Sequence, residues 1–516
     1  MWLSLVKPFI IILLFFVLIT FKAGIASDFT GEVIYLIMTD RFCDGDTDNN
    51  PPDTLFSSDH SNWKLYWGGD FEGIIYRLPY IKQLGITAIW ITPIIENPER
   101  LYRYGEETIA PYHGYWGMDF KRINRFFGTK EKFKELIDKA HSINIKVVLD
   151  IVLNHTSPIG QGVDGAIYDD GKFVADYSND PDGWFHHNGS IDFSNLDPRE
   201  WQEKNLFDLA DLNQDNPLVD KYLKDYVKYW VSFGIDALRL DTVRHISPSW
   251  LADFAKEMHS FKPDLFIFGE WSMGGADVEG AVEFAKETGI SIIDFSLQKT
   301  IVKVIAQGES FILIPKLLAN DKNLPDPYTT VTCIDNHDLP RFLSTAIASG
   351  NSVKKASKLL EMATYLLLTT RGIPCIYYGT EQFLHNQTIS TWGIGGEPYN
   401  REMMKDFNLE GNTFASNIKK LSQLRQINSA LRRGIQKTVK VTKDVYIYER
   451  LLERDVVLVA LNKGRERVAF TLPTSLPDGK YGEGKIIGKD ITVKSGKTTI
   501  ILNPLEVGIW EYHSCR

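Results

Sequence analysis

The sequence has little cysteine: four residues in 516, at Cys43, Cys333, Cys375 and Cys515. No two have the close spacing of a metal-binding pair. Cys333 and Cys375 fall in apolar, strand-like runs, where a thiol behaves as a small buried hydrophobe; pairing cannot be read from spacing. Basic charge is also short, with 57 Lys and Arg against 66 Asp and Glu and a net charge of −9. A nucleic-acid partner needs a basic footprint, so none is expected. No Gly-rich phosphate turn follows the first apolar run, which argues against a doubly wound open sheet. Past the N-terminus, no apolar run is long enough to cross a bilayer.

The N-terminus itself is different. Lys7 precedes an apolar run from Pro8 to Phe21, and small residues follow at Ala23, Gly24, Ala26 and Ser27. This is the pattern of a secretory signal, with cleavage near Ala26 or Ser27. The alternative is a retained anchor, for which the run is short. Residues 1–27 are expected to be removed, leaving a secreted, extracellular, monomeric chain without membrane attachment. Aromatics make up 12% of the chain, including 12 Trp and 22 Tyr. Flat amphipathic rings suit sugar surfaces, and they equally suit a large α/β core.

Short apolar runs recur at 33–38, 88–92, 146–151, 237–241, 266–270, 291–295, 330–335 and 375–379. Near-continuous apolar strands belong to a parallel sheet covered on both faces. Segments between them, such as EKFKELIDKAHSI and VDKYLKDYVKYWVSFG, have helical periodicity. Eight strands alternating with helices predict a (β/α)8 barrel, an α/β fold, over 28–154 and 206–432. The connection after the third strand is too long for a loop and predicts a small inserted domain over 155–205. From 433 to 516 the pattern changes to short alternating segments, which predicts a separate β-sandwich.

Barrel chemistry gathers at the C-terminal strand ends. Strand three runs into Asp150, Asn154 and His155. Strand four ends in Arg239 and Asp241, strand five in Glu270, and strand seven runs into Asn336, His337 and Asp338. In a strand, residues i and i+2 share a face, so Arg239 and Asp241 lie side by side. The pair reads either as a structural ion pair or as a carboxylate held ionised for chemistry. Single carboxylates at strand ends often cap the next helix. Three of them from three strands, with an Arg and two His among them, are not explained that way.

The stretches DIVLNH, GIDALRLDTVRH, FIFGEW and IDNHD resemble, in order, the four signature regions of the α-amylase family of glycoside hydrolases. The resemblance covers nearly all of the chain past residue 27. It implies Asp241 as nucleophile, Glu270 as general acid/base and Asp338 as the third, transition-state-stabilising acid. Arg239 matches the arginine beside the nucleophile; His155 and His337 match histidines that bind the sugar at the cleavage point. The residue types fit these roles. A retaining glycosidase needs one ionised and one protonated carboxyl. Arg239 favours the charged form of Asp241, and the apolar FIFG and Trp271 around Glu270 favour its protonated form. The segment APYHGYWGMDF adds His113 and Tyr115 to the implied sugar contacts, and PYNRE adds Arg401.

Calcium is implied twice. DGDTDNN, from Asp44 to Asn50, offers oxygen ligands at short spacing; alone it also reads as a solvated acidic turn. TDRFCDGDTDNNP with WGGD resembles the calcium site of cyclodextrin glucanotransferases, implying Asp44, Asp46 by its carbonyl, Asn49, Asn50, the Gly68 carbonyl and Asp70. The family pattern implies a second site from Asn154, Asp211 and the His245 carbonyl, with Gln202 a further candidate. NLFDLADLNQDNP is similar to the glucanotransferase and maltogenic amylase branch, with Phe207 at the centre of the cleft and Phe193 on its acceptor side. Ser272 stands where glucanotransferases carry an aromatic, and the extra C-terminal domains of those enzymes are missing. Hydrolysis of α-1,4-glucans is therefore expected ahead of cyclisation or maltogenic transfer. A non-catalytic barrel, such as the ectodomain of a transporter-associated heavy chain, would lack the three carboxylates. Product spectrum is left open.

Overall fold

A computed structural model describes residues 28–104, 107–160, 165–195, 197–271, 278–482 and 487–513. The N-terminal segment 1–27, Ser272 and Cys515 lie outside the described residues. Eight parallel strands form one sheet: β1 (Ile34–Ile37), β2 (Ala88–Ile91), β3 (Lys146–Ile151), β4 (Ala237–Leu240), β5 (Phe266–Gly269), β6 (Ser291–Ile292), β7 (Val331–Thr332) and β8 (Ile373–Tyr377). They pair in the order β6-β5-β4-β3-β2-β1-β8-β7. A parallel bridge between Ile293 and Val331 joins the two ends and closes the ring. The fold is the (β/α)8 barrel that the strand and helix alternation predicts. All residues of β1, β2 and β4 are buried, because helices cover the outside and side chains fill the inside.

The helices begin where the sequence places a cap. Asp70 accepts the Gly73 N–H at the start of α1 (Phe71–Gln83), and Thr129 accepts the Lys132 N–H at α2 (Lys130–Ser142). Asn216 precedes Pro217, the first residue of α3 (Pro217–Val231). A short polar side chain before a helix satisfies a donor that has no partner inside it, and proline at the first position loses nothing.

Two excursions rise from the C-terminal ends of β2 and β3. After β3, His155–Pro158 pairs antiparallel with Leu209–Asp211, so this excursion closes at Asp211. Its hairpin, Ile167–Asp169 with Lys172–Ala175, continues through Asp119–Ile123 to Ile95–Glu96. The last two strands belong to the excursion after β2. One sheet therefore ties both excursions together over the barrel mouth.

The C-terminal region is two antiparallel four-stranded sheets. Alternation along Val445–Leu452 sorts its side chains. Val445 and Ile447 point to a core shared with Ile491, Ile500 and Trp510, while Tyr446 and Tyr448 join the barrel core. The Tyr448 hydroxyl lies 2.6 Å from Thr369 Oγ1, at the end of the helix before β8. The Arg450 guanidinium donates to the Thr369 carbonyl at 2.9 Å.

Candidate active site

Arg239 is fully buried, and its partners come from three strands. Nη1 donates to Asp150 Oδ1 and to Asp241 Oδ1, both at 2.7 Å, and Nη2 donates to Glu270 Oε2 at 2.6 Å. Register explains the meeting. Arg239 lies opposite Asp150 on β3 and Phe268 on β5, two residues before Glu270. Asp150 is further held by the Trp90 indole N–H at 2.9 Å and the Tyr115 hydroxyl at 2.8 Å. Asp150 stands at a strand end in the sequence, but its partnership with Arg239 is set by the register of the folded sheet.

Crowding several carboxyl groups around one guanidinium in a dry site separates their proton affinities. Burial, with the charges of Asp338, Asp241 and Asp150, raises Glu270 to about 8 against the pull of Arg239. Burial likewise raises Asp150 to about 6. Asp338 is the opposite case: burial pushes it up, but His337, Arg401 and Arg239 outweigh that and hold it below the usual aspartate value. Glu270 can thus hold a proton at neutral pH while Asp338 stays charged. Asp241 keeps a second hydrogen bond from Thr242 Oγ1 at 3.1 Å. Thr242 has φ +46°, a strained conformation for a β-branched residue in the tight turn after β4.

Asp241, Thr242, Glu270 and Asp338 line a cleft of about 310 Å³ with His155, His337, Tyr115, Trp116, Leu206, Phe207 and Trp392. His337 stacks on Tyr115 at 5.4 Å and 9°, with its Nε2 2.7 Å from the Tyr115 hydroxyl. Burial lowers His337 to about 4 and lowers His155 as well, so both rings are neutral. Nε2 of His155 is buried without a partner and is available to a ligand hydroxyl. Phe207 is 44% exposed with φ +56°, and its ring lies 5.4 Å from that of Phe193. A large exposed apolar ring in a left-handed conformation is strained where it would not be needed for folding.

Two expected sugar contacts stand behind the wall. His113 is buried and accepts the Tyr115 N–H on Nδ1 at 3.1 Å, so it props Tyr115. Arg401 is buried; it donates to the His337 carbonyl at 3.0 Å and pairs with Asp338 at 3.4 Å and Glu397 at 2.8 Å. Trp392 and Glu397 line the cleft and were not found in the sequence. Glu397 had a signal, its i,i+4 spacing to Arg401; Trp392 had none.

No group of three His, Cys, Asp or Glu side chains converges as a metal site among the described residues. The two expected calcium sets mix carboxylate, amide and carbonyl oxygens, and their hydrogen-bonding state bears on whether a cation would fit. Asp44 Oδ1, Asn49 Oδ1 and Asn50 Oδ1 are buried without hydrogen-bond partners. Gly68, at φ +90°, lets them converge: a Cβ there would sit 2.4 Å from Asn50 Oδ1 and 2.9 Å from Asp44 Oδ2. The carboxylate of Asp46 faces its own loop, accepting the Asp48 N–H. Asp70 is already committed: its two oxygens accept from Gly45, Asp46, Asn49 and Gly73. In the second set, Asn154 Oδ1 and Asp211 Oδ1 are buried and unpartnered. Burial raises Asp211 to about 7 against the pull of His186, whose Nδ1 lies 2.7 Å from its other carboxylate oxygen. His245 Nδ1 lies 3.1 Å from the carbonyl of Trp201, the neighbour of half-buried Gln202. Buried oxygens without hydrogen-bond partners suit a hard cation.

The family profile "Alpha amylase, catalytic domain" matches residues 36–424. The chain belongs to the α-amylase family. Among α-amylase relatives, a cyclomaltodextrin glucanotransferase of Geobacillus stearothermophilus is 39% identical over 99% of this chain and 73% of its own. An α-amylase of Niallia circulans is also 39% identical, over 91% of this chain and 88% of its own. Among solved structures of the family, CldA, a cyclomaltodextrin glucanotransferase with a three-domain ABC distribution, aligns with TM-score 0.87 and 43% identity. That alignment covers 94% of this chain and 99% of CldA. An α-amylase of Anoxybacillus aligns with TM-score 0.80 and 32% identity over 95% and 99% of the two chains. CldA removes one argument for hydrolysis, since a three-domain α-amylase relative carries the transferase name.

Proposed function

We propose that this enzyme is a retaining glycosidase acting on starch-like α-1,4-glucans, secreted as the N-terminal pattern suggests, that passes the bound glycosyl group chiefly to another sugar hydroxyl. The observation that carries the retaining chemistry is the single guanidinium of Arg239 touching both Asp241 and Glu270. One fork holding both carboxyls keeps them close, as a nucleophile and acid require, rather than spaced around a water. Asp241 attacks the anomeric carbon and forms the glycosyl-enzyme bond. Glu270 gives its proton to the leaving oxygen, then takes one from the incoming hydroxyl. Asp338, His155, His337 and Tyr115 hold the sugar at the cleavage point and favour the positive charge of the transition state.

Transfer is favoured over hydrolysis by Phe207 and Phe193. Phe207 on the cleft, with the exposed Phe193 ring beside it, gives an acceptor sugar a surface that water cannot use. The likeness to a three-domain glucanotransferase supports the same reading. Hydrolysis is the second reading, supported by the likeness to the Niallia circulans α-amylase. Calcium, where bound, supplies positive charge that crosslinks loops. Asp44, Asn49 and Asn50, with the carbonyls of Asp46 and Gly68, would hold one ion. Asn154, Asp211 and the carbonyl of His245 would hold the other, with Gln202 beside it. Purified protein incubated with soluble starch decides between the readings. Cyclic and transfer products appearing from the start are expected. Early linear oligosaccharides alone would assign hydrolysis, and an unchanged polymer would end both.

A further inference from the structure

After β8 the chain makes a short hairpin, Ile389–Ser390 paired with Gly393–Ile394, whose tip carries Trp392. Trp392 is 46% exposed yet lines the cleft with Asp241, Glu270 and Asp338. Among the described residues its ring has no aromatic partner and its indole N–H no acceptor. A tryptophan in the core would have both. The hairpin is nevertheless fixed. The Asn386 N–H donates to Ser344 Oγ at 3.0 Å and Gln387 Nε2 to the Ser344 carbonyl at 3.2 Å. Gly395, at φ +66°, approaches that serine so closely that a Cβ would lie 2.8 Å from its side chain. At the tip, Ser390 Oγ accepts the Trp392 N–H at 3.1 Å and donates to the Gly393 carbonyl at 3.0 Å. The loop spends its hydrogen bonds holding an apolar ring in the open.

Strand order places this ring. Phe207 stands on the excursion after β3, and Trp392 follows β8. In the closed ring β3 and β8 are three strands apart by one path and five by the other, so the two aromatics rise from nearly opposite rims. The strands that lead to Asp241, Glu270 and Asp338 stand along the longer path. We propose that Trp392 is a sugar-stacking platform that binds an α-glucan on the side of the cleavage point remote from Phe207, and that it sets how long a segment the enzyme retains. This rests on the cleft being an α-glucan site.

The test uses the full chain carrying Glu270→Gln, which binds without turning over. Its affinity for maltoheptaose is measured by calorimetry with and without Trp392→Ala. The expected result is about a tenfold loss of affinity, largely restored by Trp392→Phe, with an unchanged melting temperature because the ring is exposed. In the active enzyme, Trp392→Ala is expected to shift the sizes of products from starch. Equal affinities and an unaltered product ladder would overturn the platform while leaving the glucan reading intact. If the Glu270→Gln protein binds no maltoheptaose at all, both fall.

Discussion

At the scale of single residues, one guanidinium organises the chemistry. Lysine keeps the charge of Arg239 but cannot present two nitrogens to three carboxylates. Arg239→Lys should therefore lower kcat/KM on soluble starch by about 100-fold or more, with circular dichroism unchanged. Glu270 sets the alkaline limb. Its carboxyl is raised above the ordinary glutamate value, and the protonated form is the one that acts as acid, so kcat/KM should fall as pH rises through about 8. Asp150→Asn removes one of the negative charges that raise Glu270. The alkaline limb should then move to lower pH, and a limb that stayed in place would show that Asp150 does not act on Glu270. Part of this was legible in the sequence. The i,i+2 spacing put Arg239 beside Asp241, and an apolar setting for Glu270 gave the right direction of its shift. Asp150 was not legible as a partner, because cross-strand register is a property of the closed sheet.

At the scale of elements, the excursions over the barrel mouth are built from segments far apart in sequence. The loop from Asp44 to Asn50 announced itself by its oxygen spacing. The sheet linking Ile95–Glu96, Asp119–Ile123 and the 167–175 hairpin did not, since short strands pair by tertiary contact rather than by local pattern. Calcium at the proposed second site would tie Asn154, at the end of β3, to Asp211, where the excursion returns. A chelator should lower the melting temperature by about 5 °C. Asp211→Ala should lower it in calcium and abolish most of the further response to chelator. Gly68→Ala is the matching test of the first site. Its Cβ would enter the cradle and its φ of +90° disfavours any side chain, so calcium binding measured by calorimetry should lose one ion per chain.

At the scale of the whole molecule, the eight-strand periodicity and the change to short alternating segments were both readable, because burial on both faces and burial on one face leave different patterns. The dependence of one part on the other was not. Tyr446, Tyr448, Val457 and Val459 belong to the barrel's core rather than to the sandwich's own. A chain ended at Arg433 should expose that face and accumulate as insoluble protein, while the full chain melts in one transition by calorimetry. The barrel itself is unevenly knit. β6 and β7 are two residues each, and one bridge between Ile293 and Val331 closes the circle. This seam lies between the strand that delivers Glu270 and the one that leads to Asp338. Amide exchange should be fastest there among the barrel strands. From β5 round to β8 each step of the wall is paired at two positions or fewer, and the strands that lead to Glu270 and Asp338 bound the weakest part of that sector. An opening there would carry the Asp338 side away from Glu270, which its bond to Arg239 keeps with β4, and so would widen the gap across the reacting sugar.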